Sequence, residues 1–365
     1  MIQIVLGTRA EAIKMAPIIL ALKRHCADYE IVGTGQHRVD EILSGFGVDD
    51  PVKYILQPPE KGSVSKASIV KGISFSVNVI GKIQKHTADK QPEWVLYHGD
   101  TMTTAATAVG TNILSGKQWK TGHIEAGLRS GSAWEPFPEE ISRVIADRLS
   151  DALFAPTEWA ADNLRREKIN KKIIVTGNTS VDSIKIALKK AANLDNPWKD
   201  HIIVNVHRFE NIKRKRRLHA IVDAVLAVAK ISDGEVLWPV HSTTEKMLQK
   251  YGFWKKIEKS VLLTEPLPYF QFVKVLSQAR AVLTDGGSIQ EECVTLGTPA
   301  LILRNKTERP EGLKTPYNYL VGTDRDKIVT TVRKILENPP RWEGKNPYGD
   351  GKAGKRIAKI ILGKW

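Results

Sequence analysis

Short apolar runs alternate with amphipathic stretches of helical period almost from end to end of this chain. In the first half the runs fall at residues 2–6, 30–34, 94–97, 120–124 and 152–155, each of a length and bulk that suits a buried strand. Between them, residues 11–24, 69–85, 103–114 and 139–149 repeat their apolar positions every three to four residues, as helices do. The second half keeps the rhythm, with strands expected at 202–206, 235–238, 261–263, 281–284 and 300–303 and helices at 218–231, 269–278, 289–296 and 326–336. Strands that are apolar throughout, separated by helices, build parallel sheets covered on both faces.

A single hydrophobic core stops growing at about 250–300 residues. At 365 residues the chain is therefore predicted to form two doubly wound α/β halves. The N-terminal half is expected over residues 1–170 and the C-terminal half over 171–354, with a hinge near 165–175 and a second flexible connection at 189–200. A stretch rich in Pro, Gly and Asp, 346–354, leads into a last helix over 355–365.

Composition changes this picture little. With 42% hydrophobic and 26% charged residues the chain reads as ordinary globular protein. The first apolar run leads into a glycine turn and reads as a strand, not a signal peptide, and no apolar stretch approaches the roughly 18–20 residues of a membrane span. Two cysteines, Cys26 and Cys293, stand in no metal-ligand or CxxC spacing, so a reducing, cytoplasmic setting without a disulfide is expected. The net charge of +15 is spread along the chain. Its one dense run, Lys213, Arg214, Lys215, Arg216 and Arg217, is read as a solvated loop between a strand and a helix, and neither nucleic acid nor membrane is expected as a partner.

Ligands of open α/β sheets sit at the carboxyl ends of the strands, and this sequence loads those positions. Gly7, Thr8 and Arg9 follow the first strand, with Lys14 one turn into the helix; Arg9 and Lys14 suit a phosphate, although Lys14 is equally at home as a solvated helix lysine. Asp100 and Glu125 end later strands, where a carboxylate can serve as acid or base. Helix capping accounts for Asp100 as well as chemistry does, but not for Glu125. Glu139 and Glu140 open a helix behind Pro136, Phe137 and Pro138, a position that suits acidic side chains on structural grounds alone. His207 follows the first strand of the second half and could assist a departing phosphate or lie buried and satisfied. Asp285, Gly286, Gly287 and Ser288 join a strand to a helix that carries Glu292. The glycines let backbone N–H groups approach a pyrophosphate, and Glu292 is placed for a ribose diol. Neither a dinucleotide fingerprint nor a Walker loop is present.

In this order, Gly7-Thr8-Arg9, Gln36-His37, His98-Gly99-Asp100-Thr101, His123 to Arg129, Pro138-Glu139-Glu140, Gly177-Asn178-Thr179, His207-Arg208, Gln290-Glu291-Glu292 and Thr307 to Glu311 resemble the non-hydrolysing UDP-N-acetylglucosamine 2-epimerase family. The resemblance implies a GT-B-like fold, two Rossmann-type domains with the active site in the interdomain cleft and the last helix returning to the N-terminal domain. It further implies a homodimer acting on a UDP-sugar without metal or other cofactor. By position, Asp100, Glu125 and Glu139 match the family's catalytic carboxylates and His207 the histidine that assists UDP departure. Arg9, Lys14, Phe272, Gly286, Gly287, Ser288, Glu292 and Arg309 match substrate- or UDP-binding positions. Gln36, His37 and His241 match part of a second, activating UDP-N-acetylglucosamine site, though residues 61–71 lack the usual glutamines. Asp-Gly-Gly-Ser at 285–288 departs from the family's Asp-Ser-Gly-Gly, and Phe209 stands where Arg is frequent. The alternatives left open are a hydrolysing epimerase that releases UDP and N-acetylmannosamine, a glycosyltransferase sharing the UDP cradle, and a non-catalytic nucleotide-sugar or RNA-binding protein.

Overall fold

The computed structural model describes residues 1–59, 69–113, 117–131, 138–232 and 235–364. It divides into two compact units, Met1–Ser183 with Tyr348–Trp365, and Ile184–Pro347.

The first unit holds a seven-stranded parallel sheet in the order β3-β2-β1-β4-β5-β6-β7. The strands are β1 (Ile2–Leu6), β2 (Tyr29–Gly33), β3 (Val52–Tyr54), β4 (Trp94–His98), β5 (Lys120–Ile124), β6 (Ala152–Ala155) and β7 (Lys172–Val175). The second unit holds a six-stranded parallel sheet in the order β10-β9-β8-β11-β12-β13. Its strands are β8 (Ile202–Asn205), β9 (Val236–Pro239), β10 (Leu262–Thr264), β11 (Ala281–Thr284), β12 (Ala300–Ile302) and β13 (Asn318–Leu320). The central strands β1, β4, β8 and β11 are buried at every position, as strands covered on both faces must be. In the second unit the helices Lys215–Ile231 and Arg325–Glu337 pack one face of the sheet through Leu218, Val222, Val225, Ile328 and Val332. Val275, Leu276, Ile289 and Cys293 cover the other.

Several local expectations are corrected. Residues 165–175 carry β7, which pairs with β6 as the edge of the first sheet. Lys215, Arg216 and Arg217 form the first turn of a helix, so only Lys213 and Arg214 of the basic run precede it. Its exposed polar first turn carries no apolar periodicity, which is why a sequence pattern starts that helix late.

The C-terminal helix Ala353–Ile361 lies on the helix Arg9–Arg24. The two approach closely enough that a Cβ on Gly354 would stand 2.7 Å from the backbone carbon of Pro17. Asp182 accepts hydrogen bonds from the N–H groups of Ala353 and Gly354, at 3.2 and 3.0 Å, which satisfies two donors at that helix start. Because the obstructing atom is main chain, Gly354→Ala is expected to cost about 1–3 kcal/mol, read by urea unfolding. An unchanged midpoint would mean the helix is not seated this way. No helix among the described residues is long and apolar enough to cross a membrane.

Candidate functional site

Parallel strands deliver their carboxyl ends to one edge, so the turns after β1, β4 and β5 in the first unit share a neighbourhood. Glu125 directly follows β5 and takes a left-handed backbone (φ +68°), uncommon for a residue with a Cβ. The turn is held by the carbonyl of Phe154, which accepts from the N–H groups of both Glu125 and Ala126 at 3.1 and 3.2 Å. The Glu125 carboxylate receives the ammonium of Lys14 and, at 3.3 Å, the amide of Asn178. Lys14 and Glu125 are only 4% and 6% exposed, so each ion compensates the other's desolvation. His98, the last residue of β4, has its Nε2 3.9 Å from the same carboxylate. Burial above all lowers the His98 pKa to about 4, which leaves it a neutral imidazole at pH 7.

Asp100 lies on the turn after β4. Its carboxylate is gripped by the guanidinium of Arg143, which is 1% exposed and also donates to Glu140 at 2.6 Å. Glu140 in turn accepts from the N–H of Ser130 at 3.3 Å. Glu139 opens the helix Glu139–Leu149 and is half-buried; Pro136 and Phe137 before it lie outside the described residues. Below this layer Asp147 accepts from Arg129 at 2.7 Å and stands 2.7 Å from Nδ1 of His123, whose Nε2 is 2.7 Å from the carbonyl of Gly99.

Burial pushes the Asp147 carboxyl up, but the hydrogen bonds and charges of His123 and Arg129 outweigh it and hold the group below its usual range. A depressed folded pKa contributes stability that is present above the unfolded value, about 3.9, and lost as pH falls through the folded one. Asp147→Asn is accordingly expected to flatten the fall of unfolding free energy below pH 4, measured by urea titration at successive pH values. An unaltered acid limb would refute the assignment.

In the second unit Asp285, fully buried after β11, organises the turn after β8. It accepts from the N–H of His207 at 3.0 Å, from the N–H of Arg208 at 3.1 Å and from the side chain of Asn211 at 3.0 Å. His207 packs its ring 5.1 Å from that of His241. Desolvation first, then the neighbouring His241 and Arg208, lowers the His207 pKa against the pull of Asp285, so the ring is neutral at pH 7. Gly286 caps the helix Gly287–Leu296, which therefore starts two residues before the expected 289. A Cβ on Gly287 would meet the Arg309 guanidinium at 2.7 Å. Arg309 is 4% exposed and is held by Glu291 and Glu308, both at 2.5 Å. Glu292 is buried on the same helix, and Phe272 is half-buried against the core around Ile203 and Leu237.

The first unit thus gathers Asp100, Glu125 and Lys14, with exposed Arg9 on the helix that follows β1. The second gathers His207, His241, Gly286, Gly287, Ser288, Glu292 and Arg309. Gln36, whose side chain accepts from Thr103 at 2.7 Å, and exposed His37 belong to the first unit, whereas His241 belongs to the second. Of the stretch 61–71, which lacks the usual glutamines of a second site, residues 61–68 lie outside the described residues. Sequence reasoning missed Arg143, Glu11, Asp285 and Glu308 as site-building residues. The one signal for Arg143 was its i, i+3 spacing from Glu140, a common surface pairing.

A family model described as UDP-N-acetylglucosamine 2-epimerase matches residues 20–362. A Methanocaldococcus jannaschii protein named UDP-N-acetylglucosamine 2-epimerase is 35% identical over 99% of this chain and 98% of its own length. One of the same name from Escherichia coli K12 is 35% identical over 98% of this chain and 97% of its own. The crystal structure of the Methanocaldococcus jannaschii UDP-GlcNAc 2-epimerase in complex with UDP-GlcNAc and UDP superposes with a TM-score of 0.86 at 33% identity, covering 99% of both chains. The fold is accordingly α/β and GT-B-like.

Proposed function

Because the chain belongs to the UDP-N-acetylglucosamine 2-epimerase family, we propose that it interconverts UDP-N-acetylglucosamine and UDP-N-acetylmannosamine by the non-hydrolysing route. A base takes the proton from carbon 2 while the bond from carbon 1 to the UDP oxygen breaks, leaving a carbon 1–carbon 2 double bond. Return of a proton to the opposite face of carbon 2 and of UDP to carbon 1 completes the inversion.

The observation that carries this reading is the pair Asp100 and Glu125. They follow the adjacent paired strands β4 and β5, and a buried cation holds each of them, Arg143 for the first and Lys14 for the second. Two carboxylates in distinct settings suit an acid and a base acting on one carbon. We assign Glu139 to the same chemistry by its family position. In the second unit, the N–H groups around Gly286 and Gly287 at a helix start suit a pyrophosphate, with Glu292 for the ribose and neutral His207 beside the departing diphosphate. The bound UDP and UDP-GlcNAc of the Methanocaldococcus jannaschii relative support a UDP-sugar as substrate. A cytoplasmic homodimer is the working form we propose with it.

The test is incubation with UDP-N-acetylglucosamine in deuterated water, followed by proton NMR. UDP-N-acetylmannosamine deuterated at carbon 2 is the expected product. UDP with free N-acetylmannosamine would assign the hydrolysing course, and an unchanged sugar would sink the reading.

A further inference from the structure

We propose that Glu11 is a positioning residue for this epimerisation: its carboxylate ties the turn after β1 to the turn after β4 and so fixes the backbone that carries Asp100. The proposal rests on the functional reading above.

Glu11 is the third residue of the helix Arg9–Arg24 and forms a capping box with Thr8. A capping-box glutamate closes one helix start; this one does more. One oxygen accepts from the N–H of Gly7 at 2.5 Å and of Thr8 at 3.2 Å, while the other accepts from the hydroxyl of Thr101 at 2.5 Å, ninety residues away in sequence. Glu11 is 2% exposed, so water does not compete for these bonds. The two turns are also in steric contact, because a Cβ on Gly7 would fall 2.2 Å from the Thr103 hydroxyl oxygen. Thr101 passes the constraint on: its oxygen caps the helix Met102–Asn112 by accepting from the N–H of Thr104 at 3.2 Å, and it directly follows Asp100. A carboxylate accepts all three bonds at once, whereas a protonated acid or an amide keeps contact with Thr101 only if that hydroxyl reverses from donor to acceptor. Burial raises the Glu11 pKa to about 7, and Asp100 is the charged group that raises it from the facing turn.

Glu11→Gln and Thr101→Val are each expected to lower kcat by about 10²-fold, the cost of displacing a reacting group by about an ångström, with KM for UDP-N-acetylglucosamine within about twofold. Because the two groups act as one unit, the double variant should lose no more than either alone. Thr101→Ser, which keeps the hydroxyl, should restore the rate lost in Thr101→Val. The wild-type kcat should fall as pH drops through 7, where Glu11 gains its proton, and Glu11→Gln should remove that limb. An unchanged kcat, losses that multiply in the double variant, or a retained acid limb in Glu11→Gln would overturn the proposal. Should the wild-type protein fail to epimerise, the functional reading falls by itself. The clamp is then read from amide hydrogen exchange at Gly99, Asp100 and Thr101, which Glu11→Gln and Thr101→Val must accelerate and Thr101→Ser must not; equal exchange in all would refute it.

Discussion

Replacing Arg143 by methionine is expected to cost about 3–5 kcal/mol of stability, the usual price of leaving buried charges without their partner. The guanidinium is 1% exposed and is shared between Asp100 and Glu140, so the substitution fills the volume and strands two carboxylates. Arg143→Lys should recover only part of the loss, since an ammonium lacks the fork that reaches two carboxylates at once. Urea unfolding at pH 7 checks both points. A loss under about 1 kcal/mol, the scale of a surface pair, would show that this cluster is hydrated and not sealed.

For turnover the largest effect is expected from Glu125→Gln, a fall in kcat of about 10²–10⁴-fold, the range for a positioned acid or base. The amide keeps the size of the side chain and can still face Asn178, but it cannot carry a proton for carbon 2 or neutralise Lys14. Exchange of the carbon 2 proton with deuterated water separates the roles. If Glu125 acts on one face only, the variant should lose exchange from one epimer of the substrate far more than from the other. Equal retention of both exchanges at wild-type rates would remove Glu125 from the chemistry. The left-handed turn at Glu125, φ +68°, is a reason to expect function here, since such strain persists only where surrounding bonds impose it.

The strands that the apolar pattern missed have one thing in common. β3, β7 and β13 are all sheet edges, three or four residues long and partly exposed, so the apolar runs within them reach three residues at most, too short to mark a strand. Interior strands such as β4 and β11 announce themselves because both faces are buried. The helix Ser242–Lys250 was missed for a related reason, since Thr244 and Leu248 alone are buried in it. The site divides in the same way. Asp100 and Glu125 could be singled out in the sequence because they follow apolar strands, although helix capping accounts for Asp100 as well as chemistry does. Arg143, Glu11 and Asp285 were not, because their meaning lies in partners 43, 90 and 78 positions away, which no local pattern encodes. Lys14 shows the limit from the other side: its spacing suits a phosphate, whereas the folded chain sets its ammonium against Glu125.

Residues 348–365 belong to the first unit although the whole of 184–347 intervenes. During synthesis, at ~5–20 residues per second, the ribosome spends on the order of 10–30 s on that interval. Throughout it, the surface around Pro17 that Gly354 will cover has no partner, and Asp182 lacks the two N–H groups it later accepts. The second unit can close on itself from contiguous chain, while the unit begun first is finished last. The carboxylate cluster is therefore assembled on a scaffold that is complete only once residues 348–365 have been made, and a nascent chain stalled just after residue 347 should hold the whole of the second unit together with an incomplete first one.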